Sequence, residues 1–193
     1  MIEAMPTFYL FVLAALGAGL LPKGSMRAAL LLLVPVLAAL QIWSLPEGNL
    51  YQVELLGQQL ELMRVDKLSR VFGLIFCIAA FLGNLYAWHI KDTVQQIAAV
   101  LYSGSAIGAV FAGDLVTLFF YWEGTAIASV FLIWARRTEG AYHTGMRYLI
   151  IQITSGVILL AGTALLYRET GSIAFGQMTL GSLATWLIFY PLG

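Results

Sequence analysis

The sequence predicts an all-α polytopic membrane protein with six complete transmembrane helices, the start of a seventh, and a small β-hairpin outside the membrane. Hydrophobic residues make up 61% of the 193 residues, and charged residues only 10%. This composition is typical of membrane proteins, because a water-soluble domain exposes many more charges. The apolar residues also fall into long runs, each near the length of about 20 residues that a helix needs to cross a bilayer.

The apolar runs follow one another along most of the chain. The complete runs lie at 4–21, 28–45, 71–90, 94–112, 115–135 and 148–167, and a partial run occupies 180–193. No basic segment precedes the first run and a second run follows it at once, so we interpret it as a retained helix and not as a cleaved signal peptide. We therefore predict that residues 1–193 form a single membrane domain.

The longest connection, residues 46–69, has a different pattern. Apolar residues at positions 51, 53, 55, 60 and 62 alternate with Gln and Glu, and Gly57-Gln58 separates the two alternating stretches. A period of two is typical of β-strands, and a glycine between two such strands is typical of a tight turn. We therefore predict a β-hairpin in this loop.

The positive residues predict how the helices are oriented. One set of alternate loops contains six of the ten lysines and arginines: Lys23, Arg27, Lys91, Arg136, Arg137 and Arg147. The other four lie on the opposite side, among most of the acidic residues. Because Lys and Arg accumulate in cytoplasmic loops, we predict that the N-terminus and the hairpin lie outside.

Two pairs of residues inside the spans have structural interpretations. Gly104 and Gly108 lie one turn apart and let a neighbouring helix approach closely, with packing inside this subunit favoured over homodimerisation. Gln152 and Ser155 share a face of the sixth helix. They are candidates for polar support of a buried site, through water or through an interhelical hydrogen bond, and the hydrogen bond is favoured.

The sequence contains no motif for bond-making chemistry. It has no glycine-rich phosphate loop, no nucleophile elbow and no basic surface for nucleic acid. His89 and His143 have no second ligand at metal spacing, and the single cysteine, Cys77, can form no internal disulfide. We therefore expect no catalytic residue, cofactor or metal in this chain.

Glu123 is the candidate functional residue. It is the only acidic residue deep inside an apolar run, in this case 115–135. An ionisable group at this depth costs a few kcal/mol or more, and such groups usually have a partner, a water-filled cavity and a function. Burial favours the protonated form of a carboxyl and a nearby cation favours the charged form, so a cation that moves would switch the proton on Glu123. The alternative is a structural carboxyl that burial keeps protonated.

Part of the chain resembles a known family. The matching stretches are Gly113-Asp114-Leu115, LFFYWE at 118–123, Ala128-Ser129, YLIIQ at 148–152, Ser155-Gly156 and Thr170-Gly171-Ser172, with Asp66-Lys67-Leu68-Ser69 upstream. They resemble the antiporter-like subunits shared by Mrp-type cation/proton antiporters, respiratory complex I and membrane-bound hydrogenases. Among the Mrp subunits the sequence resembles the D-type subunit, and the resemblance is most specific over 113–172.

The resemblance implies a role for Glu123 in proton movement. In this family the acidic residue matching Glu123 pairs with a lysine on the seventh helix, and protons are thought to move along buried lysines, histidines and waters. No counterpart of that lysine occurs before the end of the sequence at Gly193. We therefore expect this chain to be the N-terminal portion of a transporter module, with another membrane subunit supplying a buried lysine near Glu123.

Three functions follow as hypotheses from this resemblance. The favoured one is a subunit of a multi-subunit Mrp-type antiporter that exchanges protons for sodium or another cation. A subunit of a redox-driven proton pump, similar to complex I or a membrane-bound hydrogenase, is the second. A purely structural membrane subunit is the third. Each implies membrane-protein partners and a multi-pass location in a bacterial or archaeal cytoplasmic membrane.

Overall fold

The computed structural model describes residues 5–22, 24–55, 57–175 and 187–188, and these ranges are mostly helical. The elements in chain order are α1 (Thr7–Leu20), α2 (Ser25–Ser44), β1 (Gly48–Leu55), β2 (Gln58–Val65), α3 (Lys67–Tyr86), α4 (Thr93–Phe111), α5 (Leu115–Trp134) and α6 (Glu139–Thr170). A short 3₁₀ turn, Ala87–His89, continues α3. The predicted seventh span, 180–193, falls outside the described residues except at Leu187 and Ile188.

Five helices of the described chain, α2 to α6, are long and apolar enough to cross a membrane. The first predicted span is shorter than expected, because α1 has only 14 residues. Pro6 precedes this helix and Pro22 follows it. A proline has no N–H to donate and disfavours helical geometry in the residue before it, so the two prolines limit the length of α1.

Helix α6 is longer than the apolar run that predicted it, with 32 residues. Its N-terminus is capped by Thr138, whose Oγ1 accepts a 3.1 Å hydrogen bond from the Ala141 N–H. Gly171 ends it in the left-handed conformation at φ 70°. The residues between 139 and 147 are largely polar, so hydropathy does not reveal this first part of the helix, although the cap residues mark both ends.

Helix α4 packs against α1, α3 and α5, and its glycines provide the close contacts. A β-carbon added to Gly104 would lie 2.5 Å from Cβ of Phe11 in α1. One added to Gly108 would lie 2.5 Å from Cδ1 of the Tyr121 ring in α5. These glycines therefore let α1 and α5 approach α4 within the same chain.

The loop between α2 and α3 contains a two-stranded antiparallel sheet in which β1 pairs with β2. Leu55 pairs with Gln58 across a turn that includes Gly57, which has a φ of 76°. Strand β2 is the buried partner, with Leu60, Met63 and Val65 in the interior. Strand β2 thus covers one end of the helical bundle, near the N-terminus of α5.

Candidate functional site

Glu123 lies in the middle of α5, where this helix packs against α6. A β-carbon added to Gly156 of α6 would lie 2.8 Å from Cδ of Glu123 and 3.2 Å from Cε2 of Phe119. The same added carbon would collide with Oε1. The carboxyl group therefore occupies space beside the α6 backbone that exists only because residue 156 has no side chain.

The carboxyl oxygen Oε1 of Glu123 is buried and has no hydrogen-bond partner among the described residues. Buried polar atoms in folded proteins are nearly always satisfied, and an unsatisfied one costs about 1–3 kcal/mol. The ion pairs of the described chain are Arg70–Glu47 and Arg137–Asp92, so neither involves Glu123. This part of the chain thus presents an intramembrane carboxyl without a cation.

Another side of α5 at this level faces α4. A β-carbon added to Gly124 would lie 2.8 Å from Oγ of Ser105, a buried residue of α4. Ser105 and Gly124 line a cleft of ≈ 500 Å³ together with Phe8, Ala128 and Phe131. The two sides of α5 therefore differ, with an apolar cleft on one and the carboxyl group against α6 on the other.

The predicted polar residues of α6 lie close in sequence to this contact. Gln152 is one turn before Gly156 and so on the same face of the helix, and Ser155 directly precedes Gly156. Both side chains are half-buried, and neither is a partner of Oε1 of Glu123. The expected interhelical hydrogen bond from Gln152 is not found among residues 5–22, 24–55, 57–175 and 187–188. A role for the pair in holding water remains a prediction.

Asp114 is a structural residue whose role the sequence analysis missed. It is 1% exposed, and Oδ1 accepts a 2.7 Å hydrogen bond from the Thr117 N–H at the start of α5. Its Oδ2 accepts 2.7 Å hydrogen bonds from the Thr117 hydroxyl and from the Glu61 N–H in β2. An aspartate directly before an apolar run is a sequence signal for a helix N-cap, and it could have revealed this role.

Arg27 is buried in α2, although its position beside an apolar run predicts an exposed charge in a loop. It lies in the first turn of α2 and is 3% exposed. Its guanidinium donates hydrogen bonds to Oγ1 of Thr93 at 2.7 Å and to the Leu21 carbonyl. Only the tertiary structure reveals this burial, because a single arginine next to an apolar run is typical of a helix end at the membrane surface.

No group of three or more His, Cys, Asp or Glu side chains that could hold a metal occurs in the described ranges. Cys77 is buried in α3 as a free thiol. Glu123 contributes a carboxyl group to the site, and a carboxyl group can take up or release a proton.

A bundle of long apolar helices with a buried carboxyl at mid-helix is the architecture of a polytopic membrane protein with a polar intramembrane site. Residues 112–190 match the family model described as "NADH:quinone oxidoreductase/Mrp antiporter, TM". This segment includes Glu123, Gly156 and the whole of α6. The resemblance predicted from the sequence is thus confirmed, because this segment is similar to the transmembrane segment shared by NADH:quinone oxidoreductases and Mrp antiporters.

Two curated relatives are A subunits of Na(+)/H(+) antiporters. That of Alkalihalophilus pseudofirmus is 28% identical over 118 residues, which are 57% of this chain and 14% of the relative. That of Bacillus subtilis is 30% identical over 81 residues, which are 41% of this chain and 10% of the relative. The chain therefore spans a small part of these relatives, and they are A subunits where the sequence suggested a D-type subunit.

Two solved structures share the fold. Respiratory complex I from Thermus thermophilus matches 96% of this chain and 43% of its own, with a TM-score of 0.77 and 18% identity. The membrane-bound sulfane sulfur reductase, an archaeal respiratory membrane complex, matches 90% of this chain and 29% of its own, with a TM-score of 0.78 and 20% identity. At these identities the likeness supports the fold alone.

Proposed function

We propose that this chain is a proton-translocating subunit of a multi-subunit Mrp-type cation/proton antiporter, with Glu123 as a switch in the proton pathway. The observation that carries the proposal is the buried Oε1 of Glu123, which lacks a hydrogen-bond partner in the described chain. A carboxyl held in this way is costly, and a binding site for a proton or a mobile cation accounts for its presence. The relatives named as Na(+)/H(+) antiporter subunits support sodium as the exchanged ion.

The proposal includes a cationic partner for Glu123. We propose that another membrane subunit, or a further part of the same transporter module, brings a buried lysine close to this carboxyl. A lysine near Glu123 favours the carboxylate and expels the proton, and a lysine that has moved away favours the protonated form. Alternation between these two arrangements would move a proton into and out of the site.

A redox-driven proton pump is the second candidate function. The matched family model covers both NADH:quinone oxidoreductase and Mrp antiporter sequences, so the family match is compatible with either. In such a pump the Glu123 site would do the same proton chemistry, but electron transfer in other subunits would drive it. If deletion of this chain abolished quinone-linked or hydrogen-linked proton pumping and left sodium tolerance unchanged, the result would favour this candidate.

The test is a Glu123→Gln variant in everted membrane vesicles. Gln keeps the size of the side chain but cannot release a proton, so sodium-dependent proton exchange should fall at least tenfold while the complex still assembles. Glu54→Gln is the matched control, because Glu54 is an exposed residue of β1 and the substitution removes the same kind of side chain. Full exchange activity in an assembled Glu123→Gln complex would contradict the proposal and leave a structural role for this chain.

A further inference from the structure

A cavity of ≈ 240 Å³ with several polar lining residues lies where α2 begins and the 3₁₀ turn after α3 ends. It is on the far side of the bundle from the hairpin and does not include Glu123. Its polar or aromatic lining comes from Ser25, Trp88, His89, Lys91 and Gln96. The cavity thus combines two basic side chains, a hydroxyl and an amide in one place.

The two basic residues of this cavity have no anionic partner in the described chain. Lys91 and His89 take part in neither of the ion pairs found there. The acidic residue next to Lys91 in sequence, Asp92, is already engaged, because its Oδ2 lies 2.5 Å from Arg137 and its Oδ1 accepts the Val94 N–H at 2.9 Å. Lys91 therefore forms no ion pair with the adjacent carboxylate in the described chain.

A buried arginine lies next to the cavity, in contact with one of the residues that line it. Arg27 is 3% exposed, and its Nε has no hydrogen-bond partner among the residues that the structure describes. Its Nη1 lies 3.4 Å from Oε1 of Gln96, and Gln96 lines the cavity. The guanidinium donates to neutral oxygens, which belong to Thr93, Gln96 and the Leu21 carbonyl. A buried charge with neutral partners is costly, so a nearby anion would stabilise it.

The N-terminus of α2 adds to the same positive field. Gly24 precedes this helix and lines the cavity with Ser25, and no side chain caps the first turn. The first N–H groups of a helix are unsatisfied by the helix itself and carry a partial positive charge. Phosphate groups bind at such positions when basic side chains are also present.

We propose that this cavity, which Lys91, His89 and Ser25 line together with the Gln96 side chain that contacts the buried Arg27, binds a phosphate group. The group comes either from the head of an anionic phospholipid or from free phosphate. Trp88 lines the cavity and is 44% exposed, as is typical of an aromatic residue at the membrane interface. Basic pockets between transmembrane helices suit anionic lipid head groups.

The test measures lipid retention by the complex as purified in mild detergent, using native mass spectrometry. Phosphatidylglycerol and phosphatidylcholine with identical acyl chains are the probes, and inorganic phosphate is the competitor. We expect phosphatidylglycerol to bind more tightly than phosphatidylcholine and Lys91→Gln to weaken that binding about fivefold. Lys67→Gln is the matched control, because Lys67 is an exposed lysine at the start of α3, away from the cavity.

The outcomes separate the two sources of the phosphate group. Selective phosphatidylglycerol binding that Lys91→Gln weakens and Lys67→Gln leaves unchanged identifies a lipid head group. Millimolar phosphate that raises the unfolding temperature of the complex, with an effect that Lys91→Gln removes and no preference between the lipids, identifies free phosphate. The proposal would be overturned if both lipids bound equally and phosphate had no effect. It would also be overturned if Lys91→Gln and Lys67→Gln weakened lipid binding equally.

Discussion

The carboxylate of Asp114 accepts a 2.7 Å hydrogen bond from the backbone N–H of Glu61, and this bond joins the hairpin to the helix that carries Glu123. A second bond links the same two segments, because the Gly113 N–H donates to the Glu61 carbonyl at 2.9 Å. Gly113 has no room for a side chain here, since an added β-carbon would lie 2.5 Å from Cβ of Glu61. The start of α5 and the middle of β2 are therefore fixed to each other.

Replacement of Asp114 by alanine should destabilise the protein. The substitution removes the N-cap of α5 and the bond to Glu61, and it leaves buried N–H groups without an acceptor. We expect a loss of about 2–4 kcal/mol in the free energy of unfolding. Thermal unfolding in detergent measures this loss. Asp114→Asn keeps one carbonyl acceptor and should lose less stability than Asp114→Ala. Equal stability of Asp114→Ala and the unmodified chain would contradict the role assigned to Asp114.

Replacement of Gly156 by alanine should disturb Glu123 directly. The added methyl group would collide with the Glu123 carboxyl and approach the Phe119 ring. We expect a cost of about 1–3 kcal/mol in stability and a loss of proton exchange. Gly83→Ala is the control, because Gly83 lies inside α3 with no atom near the added carbon, and there alanine should be neutral or stabilising.

A double-mutant cycle tests whether the Gly156 effect acts through the Glu123 side chain. Aspartate is one methylene shorter, so Glu123→Asp should relieve the collision that Gly156→Ala creates. We expect the double variant to be more stable than the sum of the single effects predicts, by about 0.5–3 kcal/mol. Additive effects on the unfolding free energy would show that the two positions do not interact.

Replacement of Gly104 by alanine should separate α1 from α4. The obstructing atom is Cβ of Phe11, which is attached to the α1 backbone and cannot rotate away. We expect about 1–3 kcal/mol of destabilisation in thermal unfolding, with no change in mass by light scattering. If the variant instead halved the mass of the particle and kept its unfolding temperature, Gly104 would be a homodimer contact.

The cap of α3 should make stability depend on pH in the acid range. The Ser69 N–H donates to Oδ1 of Asp66 at 2.7 Å, and this bond, together with the Ser69 hydroxyl and the charge on Arg64, lowers the pKa of Asp66. Because the folded pKa lies below the unfolded value, about 3.9, the stabilisation is complete above that value and is lost as the pH falls through the folded pKa.

The Asp66→Asn variant measures this contribution. Asparagine also caps helices well, so the variant should fold, but its cap does not titrate. We expect the difference in unfolding temperature between the unmodified chain and the variant to be constant near neutral pH and to shrink below about pH 4. A difference that stays constant down to about pH 2 would show that the charge on Asp66 contributes nothing to stability.

Hydropathy predicts where the long helices lie, but it misplaces several of their ends. The apolar run at 71–90 misses the first turn of α3, because Lys67, Ser69 and Arg70 are polar although they are helical. The Asp66 cap and its reciprocal bond with Ser69 mark the true start. The alternation of apolar and polar residues alone predicts the hairpin, because a helix does not show a period of two.

The candidate site is predictable only in part. Glu123 stands out in the sequence because a carboxyl within an apolar run is rare. Its close contact with Gly156 and the burial of Arg27 depend on how helices distant in sequence pack, so no local pattern reveals them. Gln152 and Ser155 are candidates because of their polarity and their shared face, and neither contacts the unpaired oxygen of Glu123 by a hydrogen bond.

The bond between Asp114 and Glu61 fixes the N-terminal end of α5, so this helix can tilt about that end. Glu123 is nine residues further along the helix, which places it about 13 Å from that end. At this distance from the fixed end, a tilt of α5 by about 5° moves the carboxyl group sideways by about 1 Å. A small rotation of one helix is thus enough to make or break a hydrogen bond at Glu123, while the hairpin end stays in place.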